Sequence, residues 1–380
     1  MSTRNADAAL PRASISGHAG PMKAGRSREL APRAQRFDLA LRWFVVVGVP
    51  ATLAALFVWC GGWFSSRLSA PRIVDAFEAT TTPHPGFRRN HAKGVCVSGY
   101  FDSNGQGELV SRASAFVRGR YPVVGRLSMP GSDPRENDSN GAVRSFALRM
   151  ALPRGEDWRL AMNSVPIFAV RTPQALFEQL NADARDPRTG RADPAKMQAF
   201  LNSHPEVRAF DRFVDQHPPS SRYDNATYYG ISAFRMTDVH GINRFVRWEV
   251  VPDNAYVPAD AQQRRDPDFL LYGLMAQLSN GPLRWHLMLN IAMPGDVIDD
   301  STRQWATTSR RPRIDVGTLV IERAQTQVDG PCRDIVFDPT MLPDGIAPSA
   351  DPLLAARSAT YRVSYERRTR EEAVAGMSGH

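Results

Sequence analysis

HAKGVCVSGYF, residues 91–101, opens the part of the chain where the residue pattern changes. Before it, residues 71–80 (PRIVDAFEAT) carry an apolar stripe at helical spacing. From His91 onward, β-branched and aromatic residues alternate with small or polar ones, the period of two that a half-buried strand requires. The same signature recurs in 120–129, 142–152, 157–171, 227–237, 242–252, 281–293 and 314–324, giving eight predicted strands with the first. Turn-rich stretches such as Ser103-Asn104-Gly105 and the polar run 131–141 separate the first four. Helical spacing returns over 172–181, 194–200, after Pro205, over 267–278, and finally over 351–364. Strands joined mostly by short links bury their edges best by closing on themselves. The expected fold is therefore α+β: an eight-stranded antiparallel β-barrel with surrounding helices, preceded by one transmembrane helix.

That last element rests on residues 43–64 (WFVVVGVPATLAALFVWCGGWF), an uncharged stretch long enough to cross a hydrocarbon core of ~30 Å. Trp43, Trp59 and Trp63 suit its two interfaces. Residues 1–42 carry eight basic and three acidic side chains, so most of the chain's formal charge of +8 lies ahead of the apolar stretch. A nucleic-acid binder concentrates its charge on the folded domain, which argues against nucleic acid as a partner. Cations on the N-terminal flank instead predict a cytoplasmic tail (1–42), an uncleaved inner-membrane anchor (43–64), a linker with a helix (65–84) and an exported, periplasmic domain (85–380). A cleaved signal peptide is the rival reading, disfavoured by the length of the apolar run and by the want of a small-x-small site before Pro71. Three cysteines, Cys60, Cys96 and Cys332, give no metal-ligand spacing. Cys96 and Cys332 are either bonded, as an oxidising compartment permits, or two unrelated buried thiols.

Four segments hold the side chains capable of chemistry. His91, at the head of the first strand, is a general-base candidate. Arg126 and Ser128 end the second strand. Asn163 lies within an apolar run; a buried amide there must have its hydrogen bonds met, and at a pocket it offers an N–H to a ligand oxygen. Arg357 and Tyr361 stand four apart on the last helix and so share one face. Tyrosine, titrating near ~10, is a poor ligand unless its phenolate is favoured, which a neighbouring guanidinium does by direct charge stabilisation. Each segment by itself has an ordinary structural explanation.

Together, and in this order, they resemble the haem catalase family. The resemblance is carried by His91-Ala92-Lys93-Gly94 and Gly99-Tyr100-Phe101, by Arg126 with Ser128, and by Arg144-Ser145-Phe146-Ala147. Asn163 with Pro166-Ile167-Phe168, Arg185-Asp186-Pro187-Arg188-Thr189, Val316-Gly317-Thr318-Leu319-Val320 and Phe337-Asp338-Pro339 continue it, over roughly residues 85–368. It implies haem as cofactor, with Tyr361 as the axial iron ligand, the ligation known for catalases, and Arg357 keeping that phenol ionised. It further implies His91 as the distal base, Asn163 as its partner in holding peroxide, and Ser128 orienting the His91 ring. Arg88, Arg126 and Arg368 would meet the haem propionates, and Phe168 would line the distal pocket.

The departures refine the expectation. The chain ends 19 residues after Tyr361, without counterparts of the C-terminal helices or flavodoxin-like domain of longer catalases. It also lacks their long N-terminal arm, so a monomer or dimer is expected rather than an interlocked tetramer, and no NADPH binding. Asn90 stands where the family usually has an apolar residue, and Ala169 replaces a bulky aromatic. Both suggest a wetter or wider approach. The expected function is a peroxidase of the short, catalase-related kind, reducing hydrogen peroxide and organic peroxides with an unidentified electron donor and showing weak catalase activity. Two alternatives remain open: a catalase-like enzyme acting on fatty-acid hydroperoxides, and a membrane-tethered barrel that binds an apolar ligand without catalysis.

Overall fold

The computed structural model describes residues 42–60, 68–82 and 84–378, in two units divided after Arg67. In the first, a π-helical turn at Phe44–Gly48 continues as helix α1 (Val49–Cys60). Among the described residues no helix is long and apolar enough to cross a membrane. The transmembrane helix expected over 43–64 is thus not found there, and residues 61–64 and 1–41 lie outside the described set.

The second unit is built on strands β1 (Gly94–Ser103), β2 (Gly119–Ser128), β3 (Ser145–Ala151), β4 (Asp157–Asn163), β5 (Tyr228–Tyr229), β6 (Phe234–Thr237), β7 (Asn243–Pro252), β8 (Leu283–Ile291), β9 (Arg313–Thr326) and β10 (Ile346–Pro348). Every pairing is antiparallel. The order β1-β2-β3-β4-β5-β7-β8-β9 returns to β1, so eight strands close the barrel, while β6 and β10 extend from β7. Inward-pointing residues fill the interior: Phe146, Trp158, Trp248 and Trp285 are essentially without solvent contact and meet edge-to-face or tilted. These side chains make the barrel interior part of the protein's main hydrophobic core.

The helices are α2 (Ala70–Ala79), α3 (Pro173–Asp183), α4 (Pro194–Ser203), α5 (Val207–Gln216), α6 (Phe269–Ser279) and α7 (Pro352–Ser378). Their starts follow local chemistry: Thr172 and Asp193 side chains accept from Ala175 N and Ala195 N, each with proline in the first turn. Asp351 Oδ1 accepts from Leu353 N at the head of α7. Helix α7 outlasts the expected 351–364 because strong helix formers continue the chain after the apolar stripe fades. Its far end is held by ion pairs: Arg367 with Asp75 and Glu78 of α2, and Glu371 with Arg89, which also pairs with Glu78.

Three strand boundaries differ from expectation. Strand β1 starts at Gly94 because His91 adopts a left-handed backbone (φ 58°), incompatible with an extended ladder. Strand β4 stops at Asn163, where the run expected to reach 171 leaves the sheet ahead of Pro166, which has no N–H to give a ladder. The single strand expected over 227–237 is broken into β5 and β6, both paired to β7, and β10 was not anticipated.

Candidate active site

The register of four strands writes the floor of a cleft on the outer face of the barrel. Cα partners line up as Cys96–Arg126–Ala147–Ala161 in one row and Gly94–Ser128–Ser145–Asn163 in the next. Both rows share one face because side chains two apart on a strand point the same way. The intervening Val95, Leu127, Phe146 and Met162 belong to the core. The first row is mostly small and leaves a flat floor; the second is polar. Gly94 is needed where it stands, since a Cβ would come within 2.5 Å of Arg126 Nη2 and 2.6 Å of the Leu127 carbonyl.

On the polar row, Ser128 Oγ lies 3.4 Å from His91 Nδ1, leaving Nε2 for another partner. His91 reaches this position through its left-handed turn, whose amide, with that of Gly131, donates to Asn90 Oδ1 at 2.9 Å. Burial, reinforced by the charges of Arg126, Arg357 and Arg88, pushes the His91 pKa down to about 3. The ring is therefore neutral. Ser145 Oγ donates to Asn163 Oδ1 at 2.7 Å, so the amide is turned with Nδ2 free to donate. The sequence pattern assigns Ser145 no role; only its place opposite Asn163 in the β3–β4 hairpin points to one. Asn163 itself closes β4, whereas the pattern over 157–171 places it mid-strand.

Helix α7 supplies Tyr361, whose Oη accepts from Arg357 Nη2 at 3.2 Å. Three further arginines converge on the cleft. Arg88 donates to the carbonyls of Cys332, Arg333 and Ile335, Arg126 to Ala92 O and Gln327 Oε1, and Arg368 to Arg333 O. Among the described residues none of the three forms an ion pair, and Arg126 Nε is buried without a partner. Burial and the repulsion of its two neighbours push Arg88 well down. Burial, with Arg368 adding, brings Arg126 to about 10. Burial likewise lowers Arg368. Cations so placed call for an anion.

His91, Ser128, Asn163, Arg88, Arg126, Arg357, Tyr361, Arg368 and Phe168 all line this one cleft, of about 1220 Å³ including its open mouth. Phe168, Phe337, Leu353 and Ile73 give it apolar walls. A large flat apolar group bearing carboxylates matches that lining: apolar faces, three uncompensated cations at its edge, one phenol oxygen and one imidazole.

A packed antiparallel barrel with such a cleft on its outer face defines the class, and comparison with known proteins agrees. The catalase family profile matches residues 76–373. The chain is 33% identical over 333 residues to a catalase-related peroxidase of Synechococcus elongatus, covering 87% of this chain and 98% of that protein. To a catalase-related peroxidase of Mycolicibacterium paratuberculosis it is 30% identical over 308 residues, 80% of this chain and 96% of that one. A fungal catalase superposes with TM-score 0.67 and 19% identity, over 75% of this chain and 60% of its own length. A bacterial catalase gives 0.66 and 20%, over 75% and 58%. The chain thus spans about six tenths of these solved catalases. It belongs to the catalase family. Its near-full-length likeness runs to the short, catalase-related peroxidase subgroup. Family membership makes it an oxidoreductase acting on peroxide and implies haem as cofactor.

Proposed function

We propose that this chain is a haem peroxidase that reduces hydrogen peroxide and organic peroxides, with weak peroxide dismutation and a separate electron donor. The observation carrying the reading is the convergence on one apolar cleft of the Arg357–Tyr361 pair, the Ser128–His91 and Ser145–Asn163 pairs, and three arginines that have no carboxylate ion-pair partner among the described residues. Tyr361 Oη would hold the haem iron, Arg357 holding positive charge at that oxygen. Arg88, Arg126 and Arg368 would take the propionates, and Phe168 would flank the ring. When bound, haem iron supplies the redox chemistry of O–O cleavage. The chain's own groups handle the proton. His91 Nε2 accepts it from one peroxide oxygen and returns it to the other, while Asn163 Nδ2 donates to the oxygen on which charge develops.

Loading the protein with hemin should give a strong Soret band, and Tyr361→Phe should lose most haem retention with the fold intact by circular dichroism. Full retention in that variant would overturn the axial assignment. Turnover of hydrogen peroxide and of cumene hydroperoxide, each with a reducing donor, should exceed oxygen release from hydrogen peroxide; dominant oxygen release would refute weak dismutation.

The catalytic unit would lie on the periplasmic side of an inner membrane, tethered through 43–64. Two observations support that reading. The side chains of Phe44, Val46, Leu53 and Phe57 are exposed in the first unit, and Cys96 and Cys332 are disulfide-bonded, a pairing suited to an oxidising compartment. Alkaline extraction of membranes tests the tether; release of the intact chain with soluble protein would refute it.

A further inference from the structure

The Cys96–Cys332 disulfide lies where all three cleft arginines are anchored. Cys96 is the Cα partner of Arg126 across β1 and β2. On the other side of the bond, the Cys332 carbonyl accepts from Arg88, and the Arg333 carbonyl accepts from both Arg88 and Arg368. The bridge joins points 236 residues apart, with Cα atoms 5.3 Å from each other. Both sulfurs are fully buried, packed with Phe337 and Ile335, which also line the cleft. Gly330 makes room for the bond: a Cβ there would sit 2.6 Å from Cys96 Sγ. The Cys332 amide also donates to that sulfur at 3.2 Å.

The chain around the second cysteine contributes three carbonyl oxygens to Arg88. Arginine heads that repel one another stay aimed at the cleft only while their acceptors stay put. The covalent bond fixes those acceptors to the barrel strand beside Arg126. We infer that Cys96 and Cys332 are positioning residues for the arginines that receive the cofactor's carboxylates, so that haem retention depends on their oxidation state. The inference rests on the haem reading above. Reduction by a dithiol would deliver two electrons and two protons, break the S–S bond to give two cysteine thiols, and leave the reagent as its own disulfide. The released segment 330–337 would then hold Arg88 and Arg368 less well.

The test uses full-length, hemin-loaded protein and the rate of haem transfer to excess apomyoglobin. Compared are the oxidised protein, the protein reduced by dithiothreitol with thiols counted after alkylation, and C96S/C332S. Reduction and the double substitution should each speed haem loss about tenfold, and reoxidation should restore the slow rate. In R88M/R368M, whose arginines are already gone, reduction should add less than about twofold, because effects running through shared partners are not additive. Equal haem loss before and after reduction overturns the inference, as does an equal acceleration in both backgrounds, which would mean general loosening. Should C96S/C332S fail to fold, the reduced and reoxidised natural chain carries the test. If the oxidised protein retains no haem at all, it is the haem reading that fails.

Discussion

Replacing Arg126 with methionine should change the empty and the loaded protein in opposite directions. The guanidinium is 3% exposed, donates to Ala92 O and Gln327 Oε1, and leaves Nε unpartnered. Its pKa, lowered to about 10 by burial and by Arg368, means that the folded, empty site destabilises the charge by roughly 3 kcal/mol. That penalty applies in full at neutral pH, where the group is charged both folded and unfolded, and fades only as pH rises past the folded value. Methionine removes it. What is lost is modest: Ala92 O keeps a bond from Gln327 Nε2, so only Gln327 Oε1 is left short, a loss of about 1–2 kcal/mol. The haem-free variant should therefore equal or exceed the natural chain in stability by about 1–2 kcal/mol, whereas truncating an ordinary buried arginine destabilises. With haem bound the sign reverses. A charge-assisted hydrogen bond contributes about 1.5–3 kcal/mol, so haem should leave the variant about 10- to 100-fold faster. Urea midpoints of the haem-free proteins and haem transfer from the loaded ones measure the two halves. Haem-free R126M destabilised by more than about 2 kcal/mol, with unchanged haem release, would refute the reasoning and make Arg126 a structural residue.

Ser145→Ala should remove the donor that orients Asn163, leaving the amide free to flip; at about 1 kcal/mol for the bond, the peroxide reaction should slow roughly fivefold with haem content unchanged. Stopped-flow absorbance at the Soret band measures this, and an unaltered rate would show that Ser145 does not orient the amide. Because the folded His91 pKa lies near 3, below its unfolded value of ~6.5, the folded state keeps the ring neutral while the unfolded chain takes up a proton in between. Haem-free stability should consequently fall as pH drops from about 6.5 toward 3, and less steeply in His91→Gln. Parallel urea midpoints from pH 7 to 5 for the two proteins would contradict that assignment.

Much of the fold could be read from alternation. Strands β1, β2, β3, β7, β8 and β9 fall within a few residues of the stretches in which apolar and small side chains take turns, because each has one face in the core. Alternation misleads where local pattern and ladder disagree. Apolar residues continue past Asn163 without a strand, since Val165 and Ile167 are buried against Phe210 and Phe213 outside the barrel. His91 looks like the first residue of a strand but occupies a left-handed turn. Residues 365–378 gave no apolar stripe, yet extend α7: helix formers carry it on, and Arg367 and Glu371 tie it to α2 and Arg89.

The sequence by itself determined fold and family: the order of His91, Arg126, Ser128, Asn163, Arg357 and Tyr361, with the period-two strands between them, was resemblance enough to name both. Tertiary structure alone decided how those residues meet. Strand register set Ser145 opposite Asn163 and Cys96 beside Arg126, pairs separated by 18 and 30 positions in the chain. Closure of the sheet brought Cys332 to Cys96 across 236 residues and the acceptors of Arg88 and Arg368 with it. Side-chain period is a local property of the chain, whereas register and closure depend on which distant surfaces can be buried together.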